Sequence, residues 1–501
     1  MSAAYKIVTT SDEFVAAREH YRYLVEQLQS PETGQLEHGA VEAWLHREGM
    51  ELLRRLLQGH LDVRARREGK LEGLEGCDGV ERTHVREGCV RGLMTLFGEV
   101  EVRRKGYSAR GEASLYPLDG ALNLAGDSYS DGLRRRVSEE ASRHSFDDAV
   151  EQVEKSTGGK VPKRQAQALA KDVSQDFEAF HEGREAKAPE ATEDPVVLSV
   201  DGKGVVMRPE GLREATRRAA ERATHKLQTR LSQGEKRNRK RMATVATVYS
   251  VAEHRRTAEQ IMGLAPREGT PPRVRNKRVW ASVEREMSEV IEEQFGEALH
   301  RDPDHERPWV VLLDGNRTQL ALVEAAAKRH GVEITATVDF IHVLEYLWKA
   351  AYSFHEAGTE AAEHWVGARA LRILQGKSSE VAAGMRRSAT RQGLSAHQRK
   401  AVDKCADYLL ARRKYLRYDE NLQRGLPIAT GGIEGACRHL VNDRLDITGA
   451  RWGLAGAEAV LKLRSLRSSG DLDEYWQFHK ARDRERNHLS RYADRELPTA
   501  A

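Results

Sequence analysis

The chain has 501 residues, enough for several domains that each bury a core. Charged residues make up 32% of it, and Lys+Arg 81 against Asp+Glu 77 leaves a net charge of +4, too small to name a partner by itself. No run approaches about eighteen apolar residues, and the opening MSAAYKIVTTSDEF lacks a basic-then-apolar pattern, so neither a membrane-spanning helix nor a signal peptide is expected.

Residues 1–70 read as amphipathic helices, with Trp44, Leu45, Leu52, Leu53, Leu56 and Leu57 at helical spacing. Residues 71–125 change texture, and LMTLFGEVEVRR followed by KGYSARGE predicts a hairpin. Cys77, His84 and Cys89 lie near one another there but lack a fourth ligand at zinc spacing. With Cys405 and Cys437 they make no disulfide framework, and a reducing cytoplasm is expected.

Residues 126–185 carry three helical stretches, SDGLRRRVSEEASR, SFDDAVEQVEKSTGG and PKRQAQALAKDVSQDFEAF. Gly158-Gly159 breaks the second and Pro162 opens the third, which is a helix-turn-helix pattern. The third helix starts with Lys163, Arg164 and Gln165, types suited to phosphates and base edges. An ordinary bundle with a basic surface gives the same pattern.

A polar linker spans 186–195, and PVVLSVDGKG then reads as a buried strand leaving on Asp201-Gly202. Residues 213–241 hold eleven Lys/Arg against three Glu and end in EKRNRKR, with Arg237, Arg239, Lys240 and Arg241. This run is either a solvated face or a phosphate-binding arm beside the strand-like MATVATVYSV. A helix is expected over 276–299. PWVVLLDGNRTQL then repeats the strand-to-aspartate pattern at Asp314, and VEITATV ends on Asp339 before the helix FIHVLEYLWKAA. Residues 346–428 read as a helical insertion, 429–470 as two helices around a glycine turn, and 471–501 as a tail.

Two strands that exit on aspartates bring like charges close together, which is unfavourable unless a cation lies between them. Carboxylates without a His/Cys cluster suit Mg²⁺ or Mn²⁺. Glu434, in the first turn after Gly431-Gly432, is the candidate third ligand, or else an i,i+4 partner of Arg438. Asp, Asp and a helical Glu in that order are the ligand set of an RNase H-like fold, where two metals act on a phosphodiester.

The strings VLSVDGKGVVMR, KRMATVATVYSV, VVLLDGNRTQL, VDFIHVLEYLW and GGIEGACRHLVNDR, with ITGARWGLAGAEAVLKLRSLR, stand in this order. Together they resemble the ISKra-type insertion-sequence transposases, of the Mutator-related branch of DDE transposases. Upstream, TLFGEVEVRRKGY, LYPLDGALNLAGDSYSDGLRRRV, SFDDAV and TGGKVPKRQ extend the resemblance to roughly residues 85–480. It implies an α/β fold: an RNase H-like core over 196–345 and 429–470, split by the insertion at 346–428 and preceded by a mostly helical DNA-binding region. Asp201, Asp314 and Glu434 are then the metal triad, with intervals of 113 and 120 residues.

The Asp339-x-x-His342 pair matches a family motif, so His342 either supports catalysis or follows a capping aspartate. Trp452 either stacks on an unpaired base or belongs to the core, and Arg438 and Arg451 lie near it in sequence as DNA contacts. The implied activity is binding of terminal inverted repeats, then metal-dependent strand cleavage and strand transfer with two Mg²⁺ or Mn²⁺ ions. The implied partners are double-stranded DNA at element ends and target, and further copies of the chain, in a bacterial cytoplasm with no membrane. A catalytically inactive DNA-binding regulator and a hydrolytic RNase H-like nuclease are the alternatives.

Overall fold

Helical spacing in the first seventy residues produces two long helices, α1 (Val15–Leu28) and α2 (His38–Arg66). The computed structural model describes residues 12–184, 190–224, 227, 231–232, 235, 237–266, 269–429, 431–447 and 449–498. The chain is mixed α/β and divides into two units, Met1–Phe180 with Asp471–Ala501, and His181–Gly470.

In the first unit, strands β1 (His84–Thr95) and β2 (Gly98–Ser108) form an antiparallel hairpin. Its turn lies at Leu96-Phe97, inside LMTLFGEV, where Gly98 takes φ +121°. Only glycine adopts that backbone easily, so the reversal comes earlier than the KGYSARGE run suggests. Leu93, Val100 and Val102 alternate along the strands to meet Leu61 of α2. Of the apolar residues expected to pack, Leu45, Leu53 and Leu56 remain 41% exposed.

Three helices follow, α3 (Asp131–Arg143), α4 (Phe146–Ser156) and α5 (Lys163–Val173). Ser130 and Ser145 cap the first two by accepting from the Leu133 and Asp148 N–H groups. Leu133, Val137, Val153, Val161, Ala166 and Leu169 form their shared core. The Gly158-Gly159 turn does more than end α4. A Cβ on Gly158 would stand 2.4 Å from the Phe97 carbonyl oxygen, and one on Gly159 2.6 Å from that of Thr95. The two glycines seat the helices on the hairpin tip.

The expected tail at 471–501 is instead a helix, Leu472–Asn487, within this first unit. Tyr475, Trp476, His479 and Asp483 fall on one buried stripe, which is what orders it. His479 Nδ1 lies 2.7 Å from Asp176, and Arg486 donates to both oxygens of Asp176 at 2.6 and 2.8 Å. Arg134, 1% exposed, donates to Asp483 at 3.2 Å and also to Asp172.

In the second unit a five-stranded sheet runs in the order β5-β4-β3-β6-β7. The strands are β3 (Val196–Val206), β4 (Lys240–Ser250), β5 (Arg275–Ser282), β6 (Trp309–Leu313) and β7 (Ile334–Val338). The pairs β3/β4 and β4/β5 are antiparallel, and β3/β6 and β6/β7 are parallel. Two expectations change here. Residues 275–282 are a strand, and the helix α6 (Met287–Arg301) begins only after it. Val279, Trp280 and Ala281 are buried in succession, which a strand covered on both faces allows and a one-faced helix does not. Strand β3 also continues past Asp201 to Val206, because β4 pairs with it as far as Lys240.

The linker is anchored at its described end. Glu190 accepts from Arg307 at 2.9 Å, and Arg307 Nε donates to the Asp194 carbonyl at 2.7 Å. Its residues 186–189 lie outside the described residues. Helix α7 (Arg317–His330) connects β6 to β7. The helices α8 (Phe340–Ala351), α9 (Glu360–Leu374), α10 (Ser378–Arg391), α11 (Ala396–Ala411) and α12 (Tyr418–Gln423) build the insertion. Its core joins Phe340, Val343 and Leu347 to Ile373, Met385, Val402 and Leu409, so the bundle starts at α8, before residue 346.

The closing segment supplies α13 (Gly431–Cys437) and α14 (Leu454–Ser469). Ser469 Oγ meets the Val279 N–H at 2.9 Å and its carbonyl at 3.1 Å, so α14 blunts the β5 edge. Among the described residues no helix is long and apolar enough to cross a membrane.

The Asp176 network carries a prediction. Burial alone would raise this carboxyl, but the His479 and Arg486 hydrogen bonds outweigh it and hold the group down to about 2. A depressed folded pKa contributes stability above the unfolded value near 4, and that stability is lost as pH falls toward about 2. Hydrogen exchange at the Leu472–Asn487 helix should report a loss of about 2 kcal/mol across that window. Asp176→Asn should flatten the dependence.

Candidate active site

Parallel pairing of β3 with β6 sets Ser199 opposite Leu312. Asp201 and Asp314 each stand two residues beyond this last ladder pair. Asp201 lies within β3, opposite Val245 of β4, whereas Asp314 is the first residue past β6.

Each aspartate is held by its own neighbours. Asp201 Oδ1 accepts from the Gly202 N–H at 2.6 Å, Lys203 Nζ stands 3.7 Å from Oδ2, and the side chain is 16% exposed. Asp314 Oδ1 accepts from the Asn316 N–H at 2.7 Å, and Asn316 in turn caps α7. From the insertion, Tyr408 donates its hydroxyl to the Asp314 carbonyl at 2.8 Å and Arg412 Nε donates to that of Gly315 at 2.6 Å. Gly315 takes φ +80°, and a Cβ there would stand 2.8 Å from the Tyr408 hydroxyl.

Helix α13 brings the third element to this edge. Cys437 Sγ lies 3.2 Å from Asp201 Oδ2, and Glu434 sits one turn earlier on the same helix face. Burial, then the Asp201 charge, push the Cys437 thiol up, so it donates to the carboxylate as a neutral group. Glu434 itself is exposed. The chain then widens into a π-helical turn, Arg438–Asn442. Arg438 is exposed and its Nε stands 3.6 Å from Asp443, not beside Glu434.

Among the described residues one trio of His, Cys or acidic side chains has ligand atoms all within 4.8 Å of one another: Asp172, His479 and Asp483. There the Arg134 guanidinium already donates to both carboxylates, which makes the cluster a buried ion-pair network. The three carboxylates of the candidate site do not close to that distance.

Other expected residues divide by exposure. Asp339 is buried and accepts from the Ile341 N–H at 2.9 Å, so it caps α8. His342 is half-buried, with Nδ1 4.0 Å from Glu345. Trp452 is 7% exposed, donates to the Leu445 carbonyl at 3.1 Å and has Arg444 over its ring at 4.7 Å. That seat makes it a core residue and leaves no face for a base, which corrects the stacking role.

Lys163 pairs with Asp147, while Arg164 and Gln165 are exposed at the start of α5. Within 213–241, residues 225–226, 228–230, 233–234 and 236 lie outside the described residues. Arg237, Arg239 and Arg451 line one cavity of about 530 Å³, and Lys240 stands 3.4 Å from Asp446. Arg241 is committed elsewhere. It donates to the carbonyls of Val283, Gly211 and Glu284 at 2.6, 3.2 and 2.8 Å, so it stitches loops together with three of its five N–H groups.

Sequence reading missed Cys437, Tyr408 and Arg412. Cys437 was open to it, three residues after Glu434 on a helix. The other two reach back across the insertion, and no local pattern announces such contacts. No protein-family model matches the chain, and no curated protein matches it either.

Two glycines test this geometry. Gly315→Ala should cost about 2 kcal/mol or more in denaturant unfolding, from its positive φ and the contact with Tyr408. Gly435→Ala, where a Cβ meets nothing within 4 Å, should be neutral or slightly stabilising.

Proposed function

We propose that the chain is a DDE transposase that cuts and joins DNA at an RNase H-like core. The observation that carries this reading is the placement of Asp201 and Asp314 two residues beyond the last β3/β6 ladder pair, with α13 touching Asp201 through Cys437 and carrying Glu434 one turn away. A mixed five-stranded sheet, with a helical bundle between Asp314 and Glu434, accords with the core that the sequence resemblance implies.

The donor set fits a hard divalent cation. It offers three carboxylates, the oxygen ligands that such an ion prefers. Two Mg²⁺ or Mn²⁺ ions held by Asp201, Asp314 and Glu434 would activate the attacking oxygen and stabilise the leaving oxygen of a phosphodiester. The residues around them do the positioning. Gly202 N–H and the Cys437 thiol orient Asp201, and Asn316 N–H orients Asp314. Tyr408 and Arg412 fix the backbone that carries Asp314.

Terminal-repeat recognition belongs to α3–α5, with Arg164 and Gln165 at the start of the reading helix. Phosphates of flanking or target DNA would meet Arg237, Arg239, Lys240, Arg438 and Arg451. A homo-oligomer on DNA completes the reading, since two element ends must be joined together.

Glu434→Gln keeps the size of the side chain and removes a charge, so cleavage and joining of end-bearing DNA in Mg²⁺ should fall by roughly a thousandfold. Binding of the repeats should not change. Near-normal cleavage by this variant would refute the triad.

The salt dependence of DNA binding gives a second test. Replacing Arg237, Arg239 and Lys240 by Gln should lower the log–log slope by up to roughly three, at about 0.9 per phosphate contact. Arg241→Gln should cost stability, because three carbonyls lose their donor.

A further inference from the structure

Between α9 and α10 the insertion holds a cleft of about 450 Å³. Short side chains keep it open: Ala368 on α9 and Gly384 and Ser388 on α10 line it, and a Cβ on Gly384 would meet nothing within 4 Å. Its other walls are cationic. Arg369, Arg372, Arg387 and Arg391 face it against a single acid, Glu380, which pairs with Arg372.

The remaining three guanidinium groups have no carboxylate partner among the described residues. Arg387 and Arg391 are exposed at the rim. Arg369 is different, because it is half-buried and fixed. It stacks on the Trp365 ring at 3.7 Å, and its Nη1 donates to the Trp365 carbonyl at 2.9 Å. Burial pulls its pKa down to about 10, with no acid to offset the loss of hydration, and it remains a cation at neutral pH. A cation held rigid in a desolvated place without a counter-ion costs free energy, which an anionic ligand would return.

We propose that this cleft is a phosphate-binding site. Guanidinium forks match phosphate oxygens in pairs, Ser388 adds a hydroxyl donor, and the net charge of +3 suits a multiply charged anion better than a single carboxylate. The phosphate comes from a DNA backbone or from a free phosphorylated molecule. Only the DNA source rests on the proposed transposase function; phosphate binding in the cleft does not.

The test is calorimetric titration of the full chain with inorganic pyrophosphate and, separately, with a short DNA duplex. Gly384→Glu places a carboxylate in the open cleft. Gly384→Ala controls for folding, since Ala is favoured inside a helix and meets no neighbour. Ala383→Glu adds the same charge at an exposed position outside the cleft. Gly384→Glu and the double variant Arg387→Gln/Arg391→Gln should weaken binding about tenfold or more, and both controls should bind as the parent does.

A loss confined to pyrophosphate supports the site and assigns it to a free phosphorylated ligand. A loss that includes the duplex supports it and assigns the DNA backbone. If neither probe responds to Gly384→Glu, the proposal is overturned. A chain that binds pyrophosphate in this cleft but binds no DNA refutes the transposase reading and leaves the site standing.

Discussion

The parallel pairing of β3 with β6 is the constraint on which the candidate site depends. Ser199 and Leu312 are locked in register by the ladder, and the Ser199 hydroxyl adds a bond of 2.8 Å to the Leu312 carbonyl. A slip of one residue would turn every side chain of one strand to the opposite face and separate the aspartates. Both strands are buried on both faces, so such a slip would also expose core. The unequal strand lengths matter too. β6 stops at Leu313 and frees Asp314 into a loop, while β4 keeps β3 extended and Asp201 rigid.

The insertion is attached at the sheet's edge of the site. Phe340 N–H donates to the Ile428 carbonyl at 3.0 Å, so the chain leaves and re-enters the sheet region at adjacent points. Asp339 N–H bonds the Leu313 carbonyl at 2.7 Å, next to Asp314. Through Tyr408 and Arg412 the bundle then grips the loop that carries the second aspartate. A helical bundle inserted this way supports the site as well as extending the surface, which couples its packing to the position of one carboxylate.

Much of this was legible in the sequence, and what was missed has physical causes. Short apolar runs leading to aspartates located β3 and β6, and the Gly158-Gly159 break with Pro162 located α3–α5. The strand β5 reads as helix because NKRVWAS is short and is soon followed by the strongly helical EMSEVIEEQF. The helix Leu472–Asn487 was missed because charged residues dominate it, although Tyr475, Trp476 and His479 mark its buried stripe. Arg241 and Trp452 show a further limit. Sequence identifies a guanidinium or an indole as able to meet DNA, but only tertiary contacts reveal whether its donors and faces are already taken.

On the proposed function, Asp201, Asp314 and Glu434 converge on bound divalent metal. Fe²⁺ exchanged for Mg²⁺ in the full chain, with ascorbate and peroxide, generates radicals that cut the backbone around the ion, and mass spectrometry of the fragments maps the site. Scission is expected near all three residues, suppressed by Asp201→Asn and by excess Mg²⁺. Scission clustered instead near Asp172, His479 and Asp483, or absent at Glu434, would contradict it.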